Sequence, residues 1–494
     1  MLSRRVVDTP VHDKALDDSG ERCVTLVLMY FHYFMIWLKS LEIHGYRGFA
    51  EAEIVNFALP NNELGSGLTI LVGPNNAGKS TIIEALHAIS RPPYTPPSFT
   101  EGKRNKCASG RVRLRVQNSE GEYKELTTVP GGGSETQWNS PDIEPLHSRI
   151  FVLPSRRTFN PYFGKGGSFK REQYMDIFEL PPTRGSALNF QYRLFEIQDN
   201  SEGFNKILEQ IINPVPEWYI DQSDTGQYYL KFRTGNEFHT SDGMGEGLVS
   251  LFFIVDALYD SNPGNIIVID EPELSLHPYF QKKLRKVLCD FAKDRQIIFA
   301  THSPQLIDWK AIASGASISR VRKREDRSVV FELTNETKKK IGNFLRDLNN
   351  PHVLGLDASE VFFLEDGVIL VEGQEDVIFF PKVLEQLEIT VPGDFYGWGV
   401  GGAPKMPVIA SMLQELGFER VVGILDKNMT DMQTSLQQQF PDYSFEVIPA
   451  DDVRTKPARS ERAEVVGLLD KNGLIREHLK QDTITLFERI KHTL

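Results

Sequence analysis

Residues 73–80 read GPNNAGKS, directly after the apolar run GLTILV and directly before the helical STIIEALHAIS. This is G-x-x-x-x-G-K-[ST] in its strand–loop–helix setting, and it commits the chain to a sheet of buried strands topped by a phosphate-binding loop. Gly73 and Gly78 let the backbone curl so that its N–H groups face a polyphosphate, and the helix N-terminus adds positive potential. In such a loop Lys79 reaches the β and γ phosphates and Ser80 binds Mg²⁺. Asn75, Asn76, Gly78 and Thr81 complete the expected nucleotide-binding set. A bare glycine turn before a helix would have the same composition, so the reading needs support from the rest of the chain.

Two further strands come at NIIVID (265–270) and QIIFATHS (296–303), separated by the helical YFQKKLRKVLCDFAKD. Continuous apolar runs of this kind are strands covered on both faces by helices. The first ends in Asp270 and Glu271. Adjacent carboxylates at the tip of a buried strand are costly unless they are used. Asp270 would hold Mg²⁺ through water and Glu271 would polarise the attacking water. His302, at the end of the next strand, would contact the γ-phosphate; alone it would be an ordinary satisfied polar residue, but its order after the acidic strand argues for the site.

A second group of buried strands, GVILVEG (367–373), RVVGILD (420–426) and SFEVIPAD (444–451), marks a separate small α/β domain. Open α/β sheets place ligands at the carboxyl ends of their strands. Glu372 and Asp426 sit at two such ends, and neighbouring strands would bring them to one edge as an oxygen-rich Mg²⁺ site. The third strand delivers Asp451 and Asp452, with Lys456 shortly after. Glu375 and Asp376 fall in a helical first turn, where acidic residues often only complement the helix dipole.

At 494 residues, two domains and an insertion are expected, with the insertion lobe over the irregular stretch 95–235 and its strand RIFVLPSRR (149–157) returning to the core sheet. The net charge of -12 excludes a generally basic nucleic-acid coat but allows a local basic groove. Lys282 to Lys286 and Arg320 to Arg327 are candidate DNA contacts, with a solvated helix face and a charged loop as the competing explanations. Cys23, Cys107 and Cys289 fit neither a disulfide framework nor a zinc spacing, which points to the cytoplasm. The apolar segment 25–37 is shorter than the ~20 residues a bilayer span needs, so no membrane partner is expected. Residues 1–34 read as an extension ahead of the fold, and 471–494 as a C-terminal tail.

The GPNNAGKST loop, DEPELSLHP (270–278) and ATHSP (300–304) resemble the OLD (overcoming lysogenisation defect) family. That family joins an ABC-type ATPase, close to the RecF and SMC ATPases, to a C-terminal Toprim nuclease domain. The resemblance implies an ABC-like ATPase over 35–365 and a Toprim-like domain over 366–470. It implies a glycine-rich signature before the acidic strand, with Ser241, Gly243, Gly245 and Glu246 as candidates, though SDGMGEG departs from the usual wording. ATP would then lie between Lys79 of one subunit and this signature of another, in a homodimer or higher even oligomer. It also implies that Arg156 or Arg157 of LPSRR lies near the nucleotide.

In the second domain the resemblance implies a divalent-metal set, Mg²⁺ or Mn²⁺, of Glu372 with Asp376 and Asp426 with position 428, to which Asp451 is added. Lys456 would stabilise charge on a scissile phosphate. Position 428 is Asn where the family pattern has Asp, so one metal is expected to bind more weakly. The expectation is an ATP-regulated, metal-dependent DNA endonuclease in anti-phage defence. The alternative is an ATPase sensor or scaffold whose degenerate Toprim-like domain recruits a separate effector.

Overall fold

In the computed structural model, residues 36–494 are described except 92–95, 109, 132, 140–148, 156, 158–163, 165–189, 235, 241–244, 347–350, 365–366 and 459–462. The expected extension over 1–34 and the candidates Ser241, Gly243 and Arg156 lie outside the described residues. Among the described residues no helix is long and apolar enough to cross a membrane.

The N-terminal two thirds have a P-loop α/β fold, a largely parallel central sheet backed by an antiparallel one. In its central sheet the P-loop strand β3 (Leu68–Val72) lies between β12 (Gln296–Ala300) and β13 (Ser317–Arg324), parallel to both. The acidic strand β11 (Ile266–Asp270) pairs in parallel with β12 and with β7 (Ile150–Leu153). Strand β14 (Arg327–Glu332) closes one edge as an antiparallel hairpin with β13. The order across the sheet is β14-β13-β3-β12-β11-β7. Every residue of β3, β7, β11 and β12 is buried, as their unbroken apolar runs require.

A second, antiparallel sheet comprises β1 (Leu38–His44), β2 (Glu53–Asn56), β4 (Arg113–Asn118), β5 (Tyr123–Thr128) and β6 (Thr136–Trp138), in the order β2-β1-β4-β5-β6. Helix α1 (Lys79–Ser90) is packed between the two sheets. Its Ile82, Ile83, Leu86 and Ile89 join one core with Leu41, Leu114 and Leu126 of the antiparallel sheet and Val152, Val268 and Ile298 of the central sheet. Residues 113–138 therefore belong to the ATPase body and not to the lobe expected over 95–235. That expectation fails because β4 and β5 are half-buried strands whose sheet is completed by β1, far earlier in the chain, a long-range register that local irregularity conceals. The described part of the lobe is α2 (Phe190–Asp199), α3 (Ser201–Ile211) and the hairpin sheet of β8 (Glu217–Gln222), β9 (Tyr228–Thr234) and β10 (Glu237–Thr240). It leans on α4 (Glu246–Asp260) through Phe204, Trp218 and Phe252.

The C-terminal module is a four-stranded parallel sheet made of β15 (Gly367–Val371), β16 (Gly393–Phe395), β17 (Val421–Leu425) and β18 (Ser444–Val447), in the order β16-β15-β17-β18. The segment expected to be a tail is instead a helix, Glu477–Thr493, that buries Leu486, Phe487 and Ile490 in this module's core. This helix carries an apolar stripe at helical spacing and no buried-strand motif, so it gains its place only by packing on the sheet.

Candidate functional site

Gly73 and Gly78 both have φ in the left-handed range, 127° and 122°. A Cβ on Gly73 would stand 2.1 Å from the Val321 carbonyl oxygen of β13, so the loop's curl requires glycine there. Within the loop Lys79 is buried, and its Nζ donates to the carbonyls of Gly73 and Pro74, both at 2.8 Å. Asn75, Asn76 and Ser80 are exposed at the mouth, and Thr81 is buried in the first helical turn.

The acidic strand meets this loop from the neighbouring tip. Ser80 Oγ donates to Asp270 Oδ1 at 3.3 Å. Burial, and then the field of Glu271, push the Asp270 carboxyl up to about 6. Bringing a cation to this pair would relieve both effects. Burial followed by the charge of Lys79 pushes His302 down to about 4, so its imidazole is neutral and close to the loop. The expected residues Lys79, Ser80, Asp270, Glu271 and His302 thus share one end of one sheet. Gly245 stands at the start of α4, as the N-cap.

Glu273 carries no motif signal of its own, yet it belongs to this site. Its Oε1 accepts the His302 backbone N–H at 2.6 Å, and burial raises its carboxyl above the ordinary range. Arg157, 2% exposed, is not a phosphate ligand. Its guanidinium donates to the carbonyls of Pro154 and Asp270 at 2.7 Å each, to the Glu271 carbonyl at 2.8 Å, and to Ser250 Oγ at 2.8 Å. A basic turn next to a P-loop suggests phosphate binding from sequence, yet here all three guanidinium nitrogens are spent on neighbouring protein oxygens.

In the C-terminal module β15 and β17 are parallel neighbours with Val371 opposite Ile424, which puts Glu372 and Asp426 at the same end. The Asp426 backbone N–H donates to Glu372 Oε1 at 3.0 Å, and the Gly373 N–H to Asp376 Oδ2 at 2.9 Å. The Gly402 N–H, from the loop after β16, donates to the Glu372 carbonyl at 2.8 Å. Burial and then the charge of Glu372 push Asp426 up to about 8; burial, with Glu372 and Asp452 behind it, pushes Asp376 up to about 7. Lys456 forms ion pairs with Asp452 and, at 3.0 Å, with Glu375.

Three assignments change. Asp451 is exposed whereas Asp452 is buried, because the chain leaves β18 through a bend that turns the second carboxylate inward. Asn428 is exposed on the turn Lys427–Met429, and the neighbouring Asp431 is exposed as well. The basic run Arg320 to Arg327 divides: Lys323 and Arg324 are exposed, whereas Arg320 and Arg322 turn towards the second module. Arg320 is buried and donates to the carbonyls of Leu364 and Leu416, and Arg322 donates to the Gly417 carbonyl at 2.6 Å. This strand holds the two modules together.

Hard carboxylate oxygens, two of them raised by burial and by their neighbours' charge, are the donor chemistry that Mg²⁺ or Mn²⁺ takes. Among the described residues, no group of three or more His, Cys, Asp or Glu side chains stands ready to hold a metal ion, so these carboxylates would have to close up around one.

Comparison with known proteins agrees with an ATPase joined to a nuclease. An AAA-domain family matches residues 40–213, and a second AAA-domain family, whose description also names the AbiEii toxin and a Type IV TA system, matches 169–308. OLD nuclease of Thermus scotoductus is 25% identical over 433 residues, spanning 71% of this chain and 74% of that protein. The chain is a relative of the OLD nucleases. Septu protein PtuA of Bacillus thuringiensis is 24% identical over 56% of this chain and 74% of its own length. Endonuclease GajA of Bacillus cereus is 28% identical over 53% of this chain and 40% of its own length.

Proposed function

We propose that this chain is an ATP-hydrolysing, divalent-metal-dependent DNA endonuclease of OLD type, with a Toprim-like C-terminal module that cuts and an ATPase that gates it. The observation that supports it best is the gathering of Glu372, Asp376, Asp426 and Asp452 at one sheet edge, with Lys456 beside them. Carboxyls made this hard to ionise by burial and by one another are expensive in a protein that has no metal ion to place there. Bound divalent metal would supply an activated water and charge stabilisation at the leaving oxygen. Glu372, Asp376, Asp426 and Asp452 would hold it, and Lys456 would turn from Asp452 to the scissile phosphate.

In the ATPase, Lys79 and Ser80 would bind the nucleotide, Asp270 would hold the Mg²⁺ shell, Glu271 would orient the water and His302 would contact the γ-phosphate. An even-numbered assembly, with Gly245 and its neighbours closing the nucleotide site of a second copy, follows from the ABC-type plan. DNA is the substrate that the nuclease names of the relatives suggest, and anti-phage defence in the bacterial cytoplasm is the setting their family suggests.

The test is nicking of supercoiled DNA across a Mg²⁺ and Mn²⁺ titration, with and without ATP, by wild type and Asp426→Ala. Metal-dependent nicking that Asp426→Ala abolishes while ATP turnover survives is the expected result; equal nicking by both proteins overturns it. A second reading, an ATPase scaffold with a degenerate Toprim-like module that recruits a separate effector, is favoured by the exposed Asn428 and by the lack of a ready-made metal site among the described residues. ATP turnover without nicking at any metal concentration selects it.

A further inference from the structure

The five residues after the acidic strand, 271–275, are bounded by two non-glycine residues in the left-handed region, Glu271 at φ 48° and Ser275 at φ 60°. Side chains with a Cβ stay there only where the surroundings impose it. At Glu271 the imposing group is Arg157. One guanidinium grips the carbonyl of the peptide before Glu271 and the carbonyl of the peptide after it, while the Glu271 N–H is held by the Ala300 carbonyl at 2.9 Å. With both flanking peptides fixed, the direction in which the Glu271 Cα–Cβ bond leaves the backbone is fixed too.

The same guanidinium is anchored to Ser250 Oγ, in the first half of α4. Helix α4 also meets the far end of the segment. Ser275 Oγ donates to Glu246 Oε2 at 3.0 Å, and Gly247 lies so close that a Cβ there would stand 2.4 Å from the Ser275 carbonyl oxygen. One helix therefore touches both strained residues, directly at Ser275 and through Arg157 at Glu271.

We propose that Arg157 is the positioning residue for Glu271 in ATP hydrolysis, and that α4, through Ser250 and Glu246, sets the position of the 271–275 segment. A shift of α4 then turns Glu271 towards or away from the water it orients, without touching the phosphate-binding loop. This rests on the reading of Glu271 as the water-orienting group, and the experiment separates the two.

Steady-state ATP turnover and binding of a fluorescent ATP analogue are measured for full-length wild type, Ser250→Ala, Arg157→Lys and Glu271→Gln, with thermal melting to verify folding. Ser250→Ala is expected to lower kcat about fivefold and Arg157→Lys about a hundredfold, both with nucleotide affinity within about twofold of wild type. Lysine keeps the charge but cannot reach both peptides, so charge alone does not rescue the function. Folded variants with wild-type kcat overturn the proposal, as does a loss of nucleotide binding in step with kcat, which would mark a merely structural role. Ser250→Ala, which deletes one hydroxyl, decides the matter if Arg157→Lys does not fold. Wild-type turnover by Glu271→Gln would instead remove the underlying assignment.

Discussion

A proton on Asp426 or Asp376 competes for the same oxygens that a cation needs. Burial and the neighbouring carboxylates raise these groups to about 8 and about 7, so in the metal-free protein both are largely protonated at pH 6 and largely ionised at pH 9. Metal must displace those protons at the lower pH and finds bare carboxylates at the higher one. The half-saturating Mg²⁺ concentration for nicking should therefore fall as pH rises from 6 to 9, by up to about tenfold per unit for each proton displaced. Metal titrations of nicking at pH 6, 7, 8 and 9 give the slope, and a flat dependence would remove Asp426 and Asp376 from the metal set. At this scale the motif residues were legible because motifs name residue types at the tips of readable strands. The grip of Arg157, the place of Glu273 and the exchange of Asp451 for Asp452 were not, since each depends on which way a side chain turns after its strand has ended.

Among elements, the buried strands announced themselves through unbroken apolar runs, and the helix Glu477–Thr493 did not. Its stripe of Leu486, Phe487 and Ile490 is interrupted by charged residues and acquires meaning only against the sheet. Phe487, 1% exposed, meets Phe380 edge-on with ring centroids 5.9 Å apart. The terminal Leu494 lies against Gly367, where a Cβ would come within 2.4 Å of its side chain. Removing a buried aromatic ring leaves a cavity that the sheet cannot collapse into, so Phe487→Ala should destabilise the C-terminal module by about 3–5 kcal/mol. Urea unfolding followed by a signal from that module should show the loss, with the ATPase domain's transition unmoved. A change below about 1 kcal/mol would mean that the helix is dispensable packing. The antiparallel sheet was harder to read for the opposite reason: its half-buried strands alternate as expected, but their partners are far away in the chain.

For ATP to control cutting, the two modules need a mechanical link, and strand β13 supplies one. On one side its Val321 carbonyl lies against Gly73 at the start of the phosphate-binding loop. On the other, Arg320 and Arg322 hold the carbonyls of Leu364, Leu416 and Gly417, and Arg322 and Arg324 pair with Glu419, just before β17 and its Asp426. A displacement of the loop on nucleotide binding thus has a continuous route of touching groups to the strand that ends in the carboxylate cluster. Arg322 is the residue to remove, because its side chain is partly exposed and its ion pair with Glu419 is long, at 3.5 Å, so the fold should lose no more than about 1 kcal/mol from the pair. Arg322→Ala should leave ATP turnover within about twofold of wild type and make nicking indifferent to ATP, a loss of coupling rather than of either chemistry. Nicking rates with and without ATP, set beside turnover on the same preparation, distinguish the cases. If nicking by Arg322→Ala still responds to ATP as in wild type, communication runs through another contact or through a second copy of the chain. If both activities fall together, the strand is only a structural seam.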